Sequence, residues 1–480
     1  MRRALVTFGF IFTTVFLASS TMTGTILWAA PMTVNESLAL KAPELQTLSN
    51  GLTIAWYPND SLPVVDLVLL VKSGYRDDPR GKSGTSELVA ATLDKGAGGL
   101  SAQAISQAVE RLGASRYAIA DDDNFSAGMH GLAPDAPVLL GILSKMVVSP
   151  NFPESEVKRE HSRLLERWSH LPDYGDALAS LAFHRLIAAG TEYGRGNFLR
   201  IPEFAKVSRA DLLVYHKTHF TPKNSILMVV GRVDRQKFAD RIQQDFGSWQ
   251  GEAPPREPVI FSDPAVKRSS PGEILLVERP GLTQAAIRMG FRGPLMKSPD
   301  RYSLAVLNAL LGEYFHSRLN TVIRDQLGLT YGINSSFGFS LSLGTFAISS
   351  ATRNETAGTL IKKTREILED IKSGNISEEE VVMAKEYLIG GFPLSVATLN
   401  DVASRWLNGY VFDLGPEYLN GLVPRIAGVT REQVIAAAKK HLDLAHLTVV
   451  VAGDPAPILT SLKASGFGRV KRVKPKALME

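Results

Sequence analysis

Apolar residues recur along this chain in two rhythms, one strand-like and one helical, and the order in which the rhythms follow one another occurs twice. In the first half a strand pattern near Val65 to Val71 leads to Gly74. A helical pattern follows from about Ser86 to Leu93, and a further helix ends in Val109-Glu110-Arg111-Leu112-Gly113 before Ala114-Ser115-Arg116-Tyr117. In the second half a strand near Ala285 to Phe291 precedes a helix from about Tyr302 to Leu311. The next helix ends in Ile323-Arg324-Asp325-Gln326-Leu327-Gly328, with Leu329-Thr330-Tyr331 beyond it. Leu112-Gly113 matches Leu327-Gly328 at an offset of 215 residues, and the glycines closing two late apolar strands, Gly231 and Gly453, match at 222. Offsets this close predict a duplicated domain.

Longer amphipathic helices complete each half. Leu360, Ile361, Ile367, Leu368 and Ile371 form one stripe ahead of Gly374, and Ser377 with Glu380 makes a capping box for the helix after it. Val157, Leu164, Leu165 and Trp168 make the corresponding stripe in the first half. Residues 251–273 hold five prolines and neither rhythm, so they read as a linker between domains at 44–250 and 274–465. Strand and helix signals interleave without a Gly-rich phosphate loop or strict βαβ repetition. The expected fold is therefore α+β: two homologous domains, each a largely antiparallel sheet covered on one face by helices, the pair enclosing a cavity.

Composition narrows the class. Of 480 residues 45% are apolar and 21% charged, which is ordinary for folded domains and excludes general disorder. The net charge of +5 is small, and part of it lies in residues 466–480, where Lys471, Arg472, Lys474 and Lys476 predict a solvated basic tail. No nucleic-acid partner is expected. Arg2-Arg3 and the uncharged run Ala4 to Ala30 predict an export signal over residues 1–30, cleaved after Ser20 or after Ala30, or else kept as a membrane anchor. The expected location is periplasmic, or periplasm-facing and anchored in the inner membrane, with membrane contact only if the segment stays. The absence of cysteine excludes disulfides, thiol catalysis and cysteine-bound metal.

Few residues offer chemistry. Gly328 is the expected left-handed stop after a helix, which places Arg324 on the last helical turns and Tyr331 on the strand that follows. Taken alone, the pair reads as an arginine bound to a nearby acid and a tyrosine capping a strand. Its functional reading is a guanidinium and a phenol that donate hydrogen bonds to a peptide carbonyl and to the oxyanion formed when it is attacked. Nine histidines are present, of which only His216 and His219 lie three apart, with no acid between Tyr215 and Pro222. Asp121-Asp122-Asp123 reads as a solvated turn between strands, and no Gly-x-Ser-x-Gly motif occurs.

A set of short segments changes this picture. Leu48-Ser49-Asn50-Gly51-Leu52 precedes the first strand, Gly74-Tyr75-Arg76-Asp77-Asp78-Pro79 runs into Gly84, and Phe220-Thr221-Pro222-Lys223-Asn224 precedes the strand ending at Gly231. The second half adds Arg279-Pro280-Gly281-Leu282-Thr283-Gln284 and the stretch from Ser317-Arg318-Leu319 to Tyr331. In this order the chain resembles the pitrilysin and insulinase family of zinc peptidases, the inverzincins, in their processing-peptidase branch. Catalytic members carry His-x-x-Glu-His on the first long helix, where two histidines four apart bind zinc and the glutamate serves as base. The matching helix here reads Glu87-Leu88-Val89-Ala90-Ala91, with Glu87 and Ala91 at the histidine positions and Ala90 at the base.

Glu87 is then expected to be an exposed acid of a first helical turn, and the family's further glutamate ligand falls between Glu160 and Arg167. The resemblance implies no metal and no cofactor in this chain. In two-subunit bacterial members one subunit supplies zinc and the other an arginine and tyrosine pair, which Arg324 and Tyr331 match. The implied role is a non-catalytic subunit whose homologous partner carries His-x-x-Glu-His and zinc, acting on a peptide bound in extended form at an open sheet edge. Two alternatives are a peptide-binding or assembly protein of the same fold with no proteolytic role, and an enzyme acting alone through other ligands. The short Leu311 to His316 stands where the mitochondrial non-catalytic subunit has a glycine-rich loop, which argues against presequence sorting.

Overall fold

The strands Val64–Val71, Ser225–Gly231 and Thr448–Gly453 are buried along nearly their whole length and not on alternate residues alone. Continuous burial needs cover on both faces of a sheet, and the source of the second cover decides the architecture. The structure, a computed structural model, describes residues 40–195, 200–255, 272–415 and 417–479. The expected export segment, and residues 256–271 of the expected linker, lie outside the described residues.

The first half contains β1 (Glu44–Thr47), β2 (Thr53–Pro58), β3 (Val64–Val71), the short hairpin β4 (Gly96–Ala97) with β5 (Leu100–Ser101), β6 (Ser115–Ala120), β7 (Phe125–Leu132) and β8 (Ser225–Gly231). Six of them form one sheet in the order β1-β2-β8-β3-β7-β6. The second half contains β9 (Ile274–Glu278), β10 (Gln284–Gly293), β11 (Ile333–Phe339), β12 (Gly344–Arg353), β13 (Thr448–Gly453) and β14 (Val470–Val473), ordered β11-β12-β10-β13-β9-β14. The two orders are one topology written in opposite directions. In each, the first strand of the inner sheet runs parallel to the late apolar strand, Thr53 of β2 beside Ile226 of β8 and Ile274 of β9 beside Val449 of β13, and the remaining inner pairs are antiparallel. Only the outer strand differs, for β1 is antiparallel to β2 whereas β14 is parallel to β9. Gly113 and Gly328 hold the same left-handed turn, with φ of 60° and 59°. A two-domain α+β fold with largely antiparallel sheets is thus observed.

One face of the first sheet meets helices of its own half, α1 (Thr85–Thr92) and α3 (Ala136–Val148) among them, through Leu67, Leu69 and Val71. The other face presents Val68, Leu70, Met228 and Val230 to Val402, Trp406 and Leu407 on the helix Leu399–Val411, which belongs to the second half. The exchange is reciprocal. After α2 (Ala102–Arg111) and α4 (Glu154–Ser169) the first half forms α5 (Gly175–Ile187), and α5 lies on the second sheet, its Leu178, Ala182 and Phe183 packed against Ala286, Val450 and Ala452. Arg288 on β10 donates to Asp176 at 2.6 Å and Ser180 at 2.9 Å on α5. At Gly290 a Cβ would stand 1.9 Å from the Phe346 carbonyl and 2.8 Å from the Phe183 ring, so only glycine lets α5 seat this deeply. The expectation of helices on one face is therefore corrected: each sheet has both faces covered, the second by a helix from the opposite half. The expected enclosed cavity takes the form of clefts at this junction, of about 390 Å3 beside Trp406 and about 300 Å3 beside Asp122.

Two further expectations change. The basic C-terminus is no solvated tail: Val470–Val473 pairs with β9, and Leu478 and Met479 are buried in the α5 cluster. Asp121-Asp122-Asp123 is no solvated turn. Asp123, 3% exposed, accepts hydrogen bonds from the Tyr193 hydroxyl at 2.8 Å, the Leu341 amide at 2.6 Å and Arg76 at 3.3 Å. Asp122 accepts from the Ser340 hydroxyl at 2.9 Å. The β6–β7 turn of one half is thereby latched to the β11–β12 turn of the other, a contact at a separation of 218 residues that no local window contains.

Two consequences are testable. Phe183→Ala removes a ring from the α5 seat and should destabilise the chain by about 3–5 kcal/mol, read as a lower thermal midpoint by calorimetry. Burial first, then Asp121 and Asp123, pushes the Asp122 carboxyl up to about 6 against the pull of Ser340. A carboxyl that ionises less readily folded than unfolded makes stability fall as pH rises from its ordinary 3.8 to about 6, and the loss persists above that. Asp122→Asn, which keeps an acceptor for Ser340, should abolish that slope and be the more stable form at pH 7 by about 1–3 kcal/mol, measured by urea unfolding across the pH range.

Candidate functional site

The helix that would carry a metal motif starts where the Asp78 carboxylate accepts the amides of Gly84 at 2.6 Å and Ser86 at 2.8 Å. Leu88 and Val89 turn into the core. Glu87, Ala90 and Ala91, spaced i, i+3, i+4, consequently share the face toward α4 and β6. Glu87 is not the exposed acid expected: its side chain is one-fifth exposed, at 20%, and accepts from the Tyr75 hydroxyl at 2.6 Å and from Arg167 on α4 at 2.7 Å. Burial and the Glu87 carboxylate push the Tyr75 phenol far up, so it remains a proton donor.

Beside this face lies a cavity of about 320 Å3, walled by Ala90 and Ala91, by Arg116, Tyr117 and Ala118 of β6, by Glu160 and Arg163 of α4, and by Asp94 and Lys95. Its acids are already bound. Asp94 pairs with Lys95 at 2.8 Å and Arg116 at 2.9 Å, and Glu160, 5% exposed, pairs with Arg163 at 2.6 Å and Arg159 at 3.3 Å. Of the two carboxylates in the α4 stretch that the resemblance pointed to, Glu160 faces the cavity and Glu166 faces solvent. These residues do not fit zinc: two alanines offer no lone pair, no imidazole is present, and the carboxylates are engaged by guanidinium or ammonium groups. Among the described residues no group of three or more His, Cys, Asp or Glu is placed to hold a metal ion. His216 donates its Nε2–H to the Val147 carbonyl, 2.7 Å away, and stacks on Phe220, while His219 packs on Tyr215. Burial lowers both imidazoles below their usual range, as befits neutral core histidines.

The second candidate element is anchored by Arg318. Its guanidinium holds Glu380 at 2.8 and 2.6 Å and Asp370 at 3.0 Å, tying the segment to the helices Ala357–Ser373 and Glu378–Gly391. Burial alone would raise the Glu380 carboxyl, but Arg318 and Ser377 outweigh it and hold the group below its ordinary range. Residues Asn320–Gln326 then wind in wide π-type turns, closed by a bond from the Leu327 amide to the Val322 carbonyl at 3.1 Å. Such turns are rare and concentrate at functional places. The Arg324 guanidinium lies 3.4 Å from the centre of the Phe315 ring and its Nε donates to Asp325 at 2.8 Å, so the side chain is held, 16% exposed. Gly328 reverses the chain as expected. Tyr331 stands in the loop before β11 and not on the strand itself, 94% exposed. No hydrogen bond joins it to Arg324 among the described residues. The structure thus sets one residue of the pair firmly and leaves the other projecting. β6 and β11 are both edge strands.

Residues 54–195 match the family model described as Insulinase (Peptidase family M16), and residues 206–388 match the one described as Peptidase M16 inactive domain, together more than half of the chain. The chain belongs to the M16 peptidase family. Within it this is a non-catalytic member, since its motif helix reads Glu87-Leu88-Val89-Ala90-Ala91. Similar proteins include an uncharacterized zinc protease of Mycobacterium tuberculosis, 26% identical over 416 residues that cover 84% of this chain and 91% of that protein. Another, from Bacillus subtilis, is 25% identical over 366 residues, 75% of this chain and 86% of that one. Among solved structures, a peptidase M16 inactive domain from Pseudomonas fluorescens superposes with a TM-score of 0.79 at 24% identity, covering 87% of this chain and 98% of its own. A protease from Helicobacter pylori gives 0.77 at 22% identity, covering 86% and 100%. Both likenesses are of fold.

Sequence reasoning missed the basic lining of the M16 motif cavity, Lys95, Arg116 and Arg163. The only local trace of it is Arg163 one turn beyond Glu160 on α4 and Arg116 two positions before Ala118 on β6. Glu87→Ala, which strips Tyr75 and Arg167 of their shared acceptor, should lower stability by about 1–2 kcal/mol, and Glu87→Gln by less, in thermal unfolding of the purified chain.

Proposed function

We propose that this M16 member is the non-catalytic subunit of a heterodimeric zinc metallopeptidase and lends Arg324 and Tyr331 to the active site of a homologous partner bearing His-x-x-Glu-His. The observation that carries the reading is the contrast between the two elements. The motif helix holds alanines and salt-bridged acids, whereas Tyr331 is 94% exposed and Arg324, seven residues before it, is fixed by Phe315 and Asp325. A side chain so exposed contributes nothing to its own fold, and one held by stacking is pre-organised to donate.

The chemistry assigned to the pair is electrostatic. The peptide lies extended, paired to an open sheet edge, and the partner delivers the attack on the scissile carbonyl. As the carbonyl oxygen gains charge, the Tyr331 O–H and free N–H groups of Arg324 donate to it. Neither group changes its protonation in that step. An exported setting is part of the proposal, on the strength of Arg2-Arg3 and the uncharged run Ala4 to Ala30.

The test is co-expression with an M16 homologue that carries the intact motif, followed by kinetics of the purified pair. Tyr331→Phe should lower kcat by about 100-fold with KM nearly unchanged, the mark of an interaction made in the transition state. An unchanged kcat would sink the role of Tyr331. A pair that assembles and binds peptide without any cleavage would favour the reading as an assembly protein.

A further inference from the structure

The alanines at positions 90 and 91 border a cavity of about 320 Å3 whose wall is charged. Lys95 beyond α1, Arg116 on β6 and Arg163 on α4 face Asp94 and Glu160, three cations against two anions. Arg159, which also reaches Glu160, is balanced by Glu156 at 2.6 Å. One positive charge is therefore in excess.

Hydrogen-bond donors are left over as well. Arg116 spends Nε and Nη2 on Asp94 and Ser106, and its Nη1 makes no hydrogen bond among the described residues. Arg163 spends only Nε, on Glu160. Lys95 makes one contact with Asp94 and keeps further ammonium protons. Arg116 is 18% exposed and tied on two sides, so its guanidinium is already oriented, and a partly buried guanidinium with spare N–H groups favours a planar carboxylate.

The shape of the surroundings says which carboxylate. β6 gives Arg116, Tyr117 and Ala118 to the cavity wall and is hydrogen-bonded to β7 alone among the described residues, so its outer edge is unpaired within them. A peptide added to the edge would run alongside the cavity, and a chain that ended there would bring its terminal carboxylate to the spare N–H groups of Arg116 and Arg163. We propose that this cavity binds the C-terminal carboxylate of an extended peptide whose last residues pair with the free edge of β6. The inference rests on the preceding reading only in taking a peptide as the ligand.

Fluorescein-labelled octapeptides of randomised sequence, with a free C-terminus or a C-terminal amide, would be titrated with the purified full chain and followed by fluorescence anisotropy. The free acids should bind on the order of tenfold more tightly, the usual worth of a charge-assisted contact. Arg163→Gln, at a largely exposed side chain, and Ala91→Met, which fills the cavity without a charge, should each erase that difference. Amidated peptides ending in aspartate separate a terminal carboxylate from a side-chain one and should bind as other amides do. Equal binding of acid and amide, equal binding of the aspartate-ending amide, or no binding of either form overturns the proposal. If acid and amide bind alike while Tyr331→Phe still lowers kcat of the pair, the carboxylate cavity alone falls. If the acid is preferred and kcat is unchanged in Tyr331→Phe, the role of Tyr331 falls and the cavity stands.

Discussion

Each half of this chain covers its own sheet on one face and borrows a helix for the other, and the remaining structure depends on that exchange. Val68 and Leu70 on one side of β3 need Trp406 and Leu407 as much as Leu67 and Leu69 on the other side need the helices of their own half. A fully buried central strand is stable only while both layers are in place, because exposing either face returns a row of large aliphatic side chains to water at roughly 25 cal/mol per Å2. The two halves are one compact unit for this reason, although their topologies are copies. Gly290 beneath Phe183 and the Asp122–Asp123 latch are details of the same constraint, one admitting the borrowed helix and one closing the rim.

A frame so tied holds its chemistry at edges. Around the motif helix the charged groups that are drawn inward come with partners: Glu87 with Tyr75 and Arg167, Glu160 with Arg163 and Arg159, Asp94 with Lys95 and Arg116. Those pairings occupy the face on which catalytic relatives would hold metal, and they give the cavity there a different chemistry. A ligand set for a cation has become a wall with a positive excess, suited to anions.

Arg324 and Tyr331 illustrate how one short segment joins fixed and free parts. Arg318 bolts the segment to two helices, wide π-type turns bring Arg324 over Phe315, and Gly328 turns the chain so that Tyr331 stands clear. The contrast between a stacked cation and an exposed phenol is the physical basis of the proposed contribution in trans.

The amino-acid sequence alone determined the duplicated plan, because a strand and helix order repeated at offsets of 215 and 222 residues is a local property read once in each copy. It also determined the loss of the metal motif, since alanine at 90 and 91 has no donor in any conformation. Only the tertiary structure decided what covers the second face of each sheet, why Asp123 is buried and Asp122 half-buried, that the basic C-terminus pairs as β14, and which cations surround Ala90 and Ala91. Each of these depends on contacts between residues far apart in the chain, Asp123 with Leu341 or Glu87 with Arg167. A hydrophobic rhythm says that a face will be buried; it carries no information about which distant element does the burying, and the charge of a cavity is set by that choice.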